Sequence, residues 1–223
     1  MKLTLRIAAL FTLMLAAAAI ASADGVTLTL NNGGNDVMGH VYVGAYNFTG
    51  PTGSLQLICD DYAHKVYGGE SWTATTSTLP PLGSVSAFST GQFSGSTLVQ
   101  YEEAAYLAQK IFALGPVTSA NATTIAYLQY ALWDIFDPSA SSGLGYLDPT
   151  GQVAILLGQA QNNYQNGNYS DVVIYTPSSG WPTADGLPQE YIGIVSTPEP
   201  SSLVLLVSGM LALMLLVIRR GRV

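Results

Sequence analysis

The chain has 223 residues, 48% of them hydrophobic and only 9% charged, and a formal net charge of −7. Its single cysteine excludes a disulfide framework. Between residues 24 and 197, Lys65 and Lys110 are the only strong bases against 13 acids. This excludes a nucleic-acid-binding face, which needs clustered cations to displace counterions.

In chain order, Lys2 and Arg6 precede an apolar run from Ile7 to Ile20 and then Ala21-Ser22-Ala23. Basic start, apolar middle and small-residue end make 1–23 a signal peptide, with a mature N-terminus near Asp24. The run is short of the roughly 20 apolar residues a membrane anchor needs.

The first half of the body, residues 24–196, reads as strands. "VTLTL" at 26–30 alternates, "NNGGND" follows as a turn, and "HVYVGAY" at 40–46 alternates again before the "NFTGPTG" loop. "LQLICDDY" at 55–62 and "SWTATTSTL" at 71–79 are further short strands. The period then changes. "YEEAAYLAQKIFAL" at 101–114 repeats apolar positions at Ala104, Leu107, Ala108 and Ile111, places acids in its first turn and stops at Gly115-Pro116. A second helix at 123–136 is capped by Ser119 or Asn121 and ended by Asp137-Pro138, and a third covers about 151–165. "DVVIY" and "YIGIV" return to strand character. The expected class is α+β: β-sandwich-like antiparallel strands with a helical insert.

Two residues stand out. Gln129 lies roughly 40° from Ile125 on the helical wheel, inside the apolar arc of Ile125, Leu128, Leu132 and Phe136. An unpaired amide there costs about 1 to 3 kcal/mol. Cys59 shares a strand face with Leu55 and Leu57, so the period of two turns its sulfur to the core. If that strand packs on the helix, the thiolate attacks the Gln129 side-chain carbonyl, expels ammonia and leaves an internal thioester. The plain alternative is an inert core thiol and a hydrogen-bonded glutamine.

At the far end, Ser201 to Ile218 is an uncharged stretch of 18 residues closed by Arg219, Arg220 and Arg222. It reads as a C-terminal transmembrane helix whose basic tail at 219–223 stays in the cytoplasm. Thr197-Pro198-Glu199-Pro200 before it is an extended peptide open to proteolysis. "TPEPSS", the apolar helix and the Arg cluster together resemble the PEP-CTERM sorting signal, over residues 197–223. The Pro198-Glu199-Pro200 core matches, and Thr197 replaces a commoner valine. The resemblance implies processing by an exosortase at the inner membrane, then delivery to the cell envelope or outside.

From about Val41 to Trp133 the body resembles the thioester domains of bacterial surface adhesins, in which a strand cysteine precedes a helix with an apolar, Gln, two residues, apolar pattern. That pattern reads Leu128-Gln129-Tyr130-Ala131-Leu132. Two positions depart from it, Ile58 before the cysteine and Asp60 after it. The resemblance implies a covalent adhesin, with Cys59 as leaving thiol, Gln129 as acyl donor and a surface amine as nucleophile. Tyr62, His64 and Trp133 are expected around the bond. The alternative is a noncovalent structural or exopolysaccharide-associated protein with the same address.

No convincing set of acid, base and nucleophile marks an enzyme. Cys59 and His64, five residues apart along a strand, fall on opposite faces. "CDDYAH" lacks the remaining ligands of a metal site, and "NNGGND" lacks the spaced acids of a calcium loop. No cofactor is expected. The three Asn-X-Ser/Thr sequons at Asn47, Asn121 and Asn168 are read as incidental.

Overall fold

The structure, a computed structural model, describes residues 25–34, 36–80, 93, 97–178, 186–195 and 210. Eight strands are described: β1 (Val26–Asn32), β2 (Asp36–Met38), β3 (Val41–Val43), β4 (Ala45–Gly50), β5 (Gly53–Cys59), β6 (Ser71–Thr78), β7 (Val172–Pro177) and β8 (Tyr191–Ile194). Between β6 and β7 come helices α1 (Leu98–Ala113), α2 (Ala122–Phe136) and α3 (Gln152–Asn163), with short 3-10 turns. The class is α+β, and the strands close into one antiparallel barrel of order β1-β4-β5-β8-β7-β6, where a sandwich-like arrangement was the expectation. Strands β2 and β3 form a separate hairpin. The expected signal peptide at 1–23 and, Met210 excepted, the expected sorting segment at 197–223 lie outside the described residues. Among the described residues no helix is long and apolar enough to cross a membrane.

Alternation decides which side chains fill the barrel. Leu28 pairs with Trp72, Leu30 with Phe48, Tyr46 with Leu57 and Cys59 with Tyr191. Directly paired residues share a face, so all of these point inward, and all are buried. Tyr191 packs edge-on to Phe48 with ring centroids 4.8 Å apart and to Tyr46 at 5.6 Å. On the opposite face Ile58, Ile192 and Ile174 stand in register as a row. They are also fully buried because helices cover that side, with α1 lying against β8. Consecutive buried residues in β5, β7 and β8 therefore mark strands covered on both faces.

Several boundaries differ from the sequence reading. The expected 40–46 strand is two strands, broken at Gly44, whose φ of 87° suits glycine. A side chain at Gly44 would also strike Val117 and Ile125. The "NFTGPTG" loop shrinks, since Asn47 to Gly50 continue β4. The 55–62 strand ends at Cys59, because the Asp61 carboxylate accepts the Ala63 and His64 backbone N–H groups and turns the chain. Helix α1 starts at Leu98 instead of 101, with Thr97 and Gln100 forming a capping box. Glu102 is thus beyond the first turn and buried. Asn121 occupies the N-cap position of α2 without capping it. Its side chain instead ties the preceding loop, accepting from Thr118 N (2.7 Å) and donating to Leu114 O (3.0 Å).

Candidate functional site

The site lies where β5 ends against α2. Cys59 closes β5, and Gln129 sits in the second turn of α2; both are fully buried. The Gln129 Nε2 donates to the Cys59 carbonyl oxygen at 2.6 Å, across 70 residues of chain. Gln129 Oε1 is buried without a hydrogen bond among the described residues, an arrangement that costs about 1 to 3 kcal/mol. The carboxamide is therefore clamped at its nitrogen and unsatisfied at its oxygen, beside the cysteine backbone.

The thiol has its own environment. Cys59 Sγ donates to Asp61 O at 3.1 Å, and Gln189 Nε2 donates to the same oxygen at 2.9 Å. Burial pushes the thiol well above its ordinary titration range, and the nearby Asp61 and Asp60 carboxyls push it further. The Trp133 side chain, one helical turn after Gln129, reaches the sulfur and works against that rise. Its indole Nε1 is buried and has no well-formed hydrogen bond among the described residues. A thiol held neutral in this way is protected from oxidation and alkylation, which act on the thiolate.

Of the three residues expected around the pair, Trp133 is the one whose side chain acts on the Cys59 thiol. Tyr62 packs on Trp133 with centroids 5.2 Å apart, and Tyr130 joins them at 5.1 Å from Trp133, so three rings form one aromatic cluster around the Trp133 end of the site. His64 turns to Asp61, with Nδ1 and Oδ2 2.7 Å apart. Because β5 stops at Cys59, the expected opposite-face placement of Cys59 and His64 does not hold; His64 belongs to a loop.

A second buried cluster escaped the sequence reading. Asp60 and Glu190 are both fully buried, and their backbones meet through Asp60 N and Glu190 O at 3.3 Å. Glu190 accepts from Tyr101 Oη at 2.7 Å and from the Thr176 hydroxyl. Neither Asp60 carboxylate oxygen has a well-formed hydrogen bond among the described residues, and the Glu190 carboxyl is close enough to act on it. Burial, followed by the Glu190 charge, raises the Asp60 acid well above its ordinary range. The pair is satisfied when Asp60 keeps its proton and donates it to Glu190. The signal in the sequence is polar pairs set directly against apolar strands, Asp60-Asp61 after "LIC" and Gln189-Glu190 before "YIGI".

Among the described residues no group of three or more histidine, cysteine or acidic side chains is arranged to hold a metal ion. Pro198, Glu199, Pro200, Arg219, Arg220 and Arg222 lie outside the described residues. Compared with protein-family models, curated proteins and solved structures, the chain matches none.

Proposed function

We propose that Cys59 and Gln129 form an internal thioester, and that the protein is an exported envelope adhesin which spends that bond in one covalent attachment. The observation that carries this reading is the Gln129 carboxamide held 2.6 Å from the Cys59 carbonyl with its own oxygen unsatisfied. In the bond-forming step Sγ attacks the Gln129 side-chain carbonyl carbon. A C–S bond forms, the C–N bond breaks, and the thiol proton leaves with the nitrogen as ammonia. An incoming amine or hydroxyl later attacks the same carbon, the C–S bond breaks, and the nucleophile's proton ends on the sulfur. Trp133 N–H, beside the sulfur, stabilises charge developing there as the bond breaks. The rings of Tyr62, Tyr130 and Trp133 keep water from the acyl carbon until a partner arrives.

The address rests on the ends of the chain: export through the inner membrane by the 1–23 signal, then exosortase processing at Pro198-Glu199-Pro200 with the 201–218 helix and its arginines as the membrane stop. The chemistry is single-turnover acyl transfer, not repeated catalysis.

Intact mass spectrometry of the freshly purified chain tests the bond. The expected mass is one ammonia below that of the processed sequence, and methylamine adds one methylamine to it. Cys59→Ala and Gln129→Ala each abolish both effects. Full mass with a free thiol in native protein defeats the thioester and leaves Gln129 as a clamp between helix and barrel.

A further inference from the structure

Beside the covered Cys59–Gln129 pair lies an open groove of about 940 Å³, reaching from Trp133 and Gln189 outward to the β1 rim and the β2–β3 hairpin. That volume is at the upper end of the range for small-molecule sites, about 300 to 1,000 Å³, and suits several linked rings better than one. Its chemistry is uneven. Tyr42 and Tyr67 line it with half-exposed rings, 54% and 50% accessible. The Tyr42 ring lies close to the Gly33 backbone, where an added Cβ would sit 3.1 Å from Cδ2, so a glycine there leaves the ring room beside the strand. At the rim a β-bulge falls between Leu30 and Asn32, and Asn31 and Asn32 are both exposed, with the Asn31 Nδ2 donating to Thr49 Oγ1 at 3.2 Å. The Asn32 Oδ1 is taken by Asn47 Nδ2 at 2.7 Å, which leaves its amide donors.

The charge is equally uneven. The described groove lining contains Lys65 and both histidines of the chain, but no aspartate or glutamate. Lys65 is exposed, and no ion pair holds it among the described residues. In a body with two strong bases against 13 acids, one of those bases stands in this groove.

We infer that the groove binds an acidic polysaccharide strand, with sugar faces stacked on Tyr42 and Tyr67, hydroxyls on the asparagine amides and a uronate-type carboxylate on Lys65. Tyrosine planes give rigid, amphipathic contact area to a ring that is apolar on its faces and polar at its rim. The carboxylates beside the lining are already engaged, Asp61 by the His64 ring at 2.7 Å and Glu70 by the Tyr67 backbone N–H at 2.8 Å, so Lys65 is the cation in this wall that an incoming anion meets. Binding stands apart from the thioester. Only the consequence that a bound strand brings its hydroxyls to Trp133, and so to the acyl carbon, rests on the reading above.

The test titrates the full chain, purified in non-ionic detergent, with three probes by calorimetry: hexagalacturonate, neutral cellohexaose and cationic hexaglucosamine. Hexagalacturonate is expected to bind tightest. Lys65→Gln should weaken it about tenfold while leaving cellohexaose unchanged, and Tyr42→Ala combined with Tyr67→Ala should weaken both about tenfold. These residues are exposed, so the variants should melt as wild type does, which a thermal scan checks. Methylamine-treated protein should bind hexagalacturonate as untreated protein does, so a failed mass measurement leaves this result standing. Absence of hexagalacturonate binding in the millimolar range, tighter binding of hexaglucosamine or of a lysine-rich peptide, or binding indifferent to Lys65→Gln overturns the inference.

Discussion

At the residue scale the molecule holds an acid where a neutral group suits better. Asp60 is buried against Glu190 with no well-formed hydrogen bond to either oxygen among the described residues, and its titration is raised from an ordinary value near 3.8. The native state therefore keeps a proton that the unfolded chain has already released. Stability from this group is complete below about pH 4 and declines as pH rises towards the folded value. Each unit of that rise is worth about 1.4 kcal/mol. Asp60→Asn preserves the shape, supplies N–H donors to Glu190 and removes the titration. The variant should be more stable than wild type at pH 8, by at least about 1 kcal/mol, and should lose that advantage at pH 4. Urea midpoints at the two pH values measure it. An advantage of equal size at both would show that Asp60 is already ionised, or that the substitution acts through packing alone.

At the element scale α1 is joined to α2 through its own cap. Gln100 Oε1 accepts the Thr97 N–H at 2.9 Å, and its Nε2 donates to Ile135 O at 3.1 Å, near the end of α2. Gln100→Ala loses both bonds at once, so its cost should exceed a lone cap, at about 1 to 2 kcal/mol by chemical denaturation. Thr97→Ala, which spares the Ile135 contact, should cost about 1 kcal/mol. If the two variants cost the same, the inter-helix bond contributes nothing. Periodicity made these helices legible: Ala104, Leu107, Ala108 and Ile111 of α1 are buried as a stripe, and so are Ile125, Leu128 and Leu132 of α2. The start of α1 was not, because Glu102 and Glu103 resemble first-turn acids while the cap sits further back, at Thr97. The end of β5 was hidden similarly. "LICDDY" keeps an alternating look through Asp60, and only the Asp61 side chain, turning back on Ala63 and His64, stops the strand. Burial of Cys59 and Gln129 followed from local pattern, whereas their mutual contact depends on how helix and sheet pack and is not a local property. Tyr130 and Glu190 were missed because an aromatic on a helix and an acid before a strand look ordinary until the partners Trp133 and Tyr101 are in place.

For the whole molecule, barrel closure is the feature no window of sequence reveals. It comes from β1 pairing with both β4 and β6, and β5 with β8, contacts that span more than a hundred residues in the last case. The helical block is inserted between β6 and β7, so the described contact between Cys59 and Gln129 is one of the points at which block and barrel hold each other. On the thioester reading that point is a covalent cross-link closing a loop of 70 residues. By the chain-entropy relation for cross-links, a loop of this size is worth up to about 4 kcal/mol. For a domain of this length 1 kcal/mol moves the melting temperature by about 2 to 4 °C. Opening the bond with methylamine should then lower the melting temperature by about 10 °C without changing any residue. Cys59→Ala should melt low from the start and ignore methylamine. A wild-type transition indifferent to methylamine would mean that barrel and helices are held by packing and hydrogen bonds alone. In that case the adhesive chemistry would have no bond to spend.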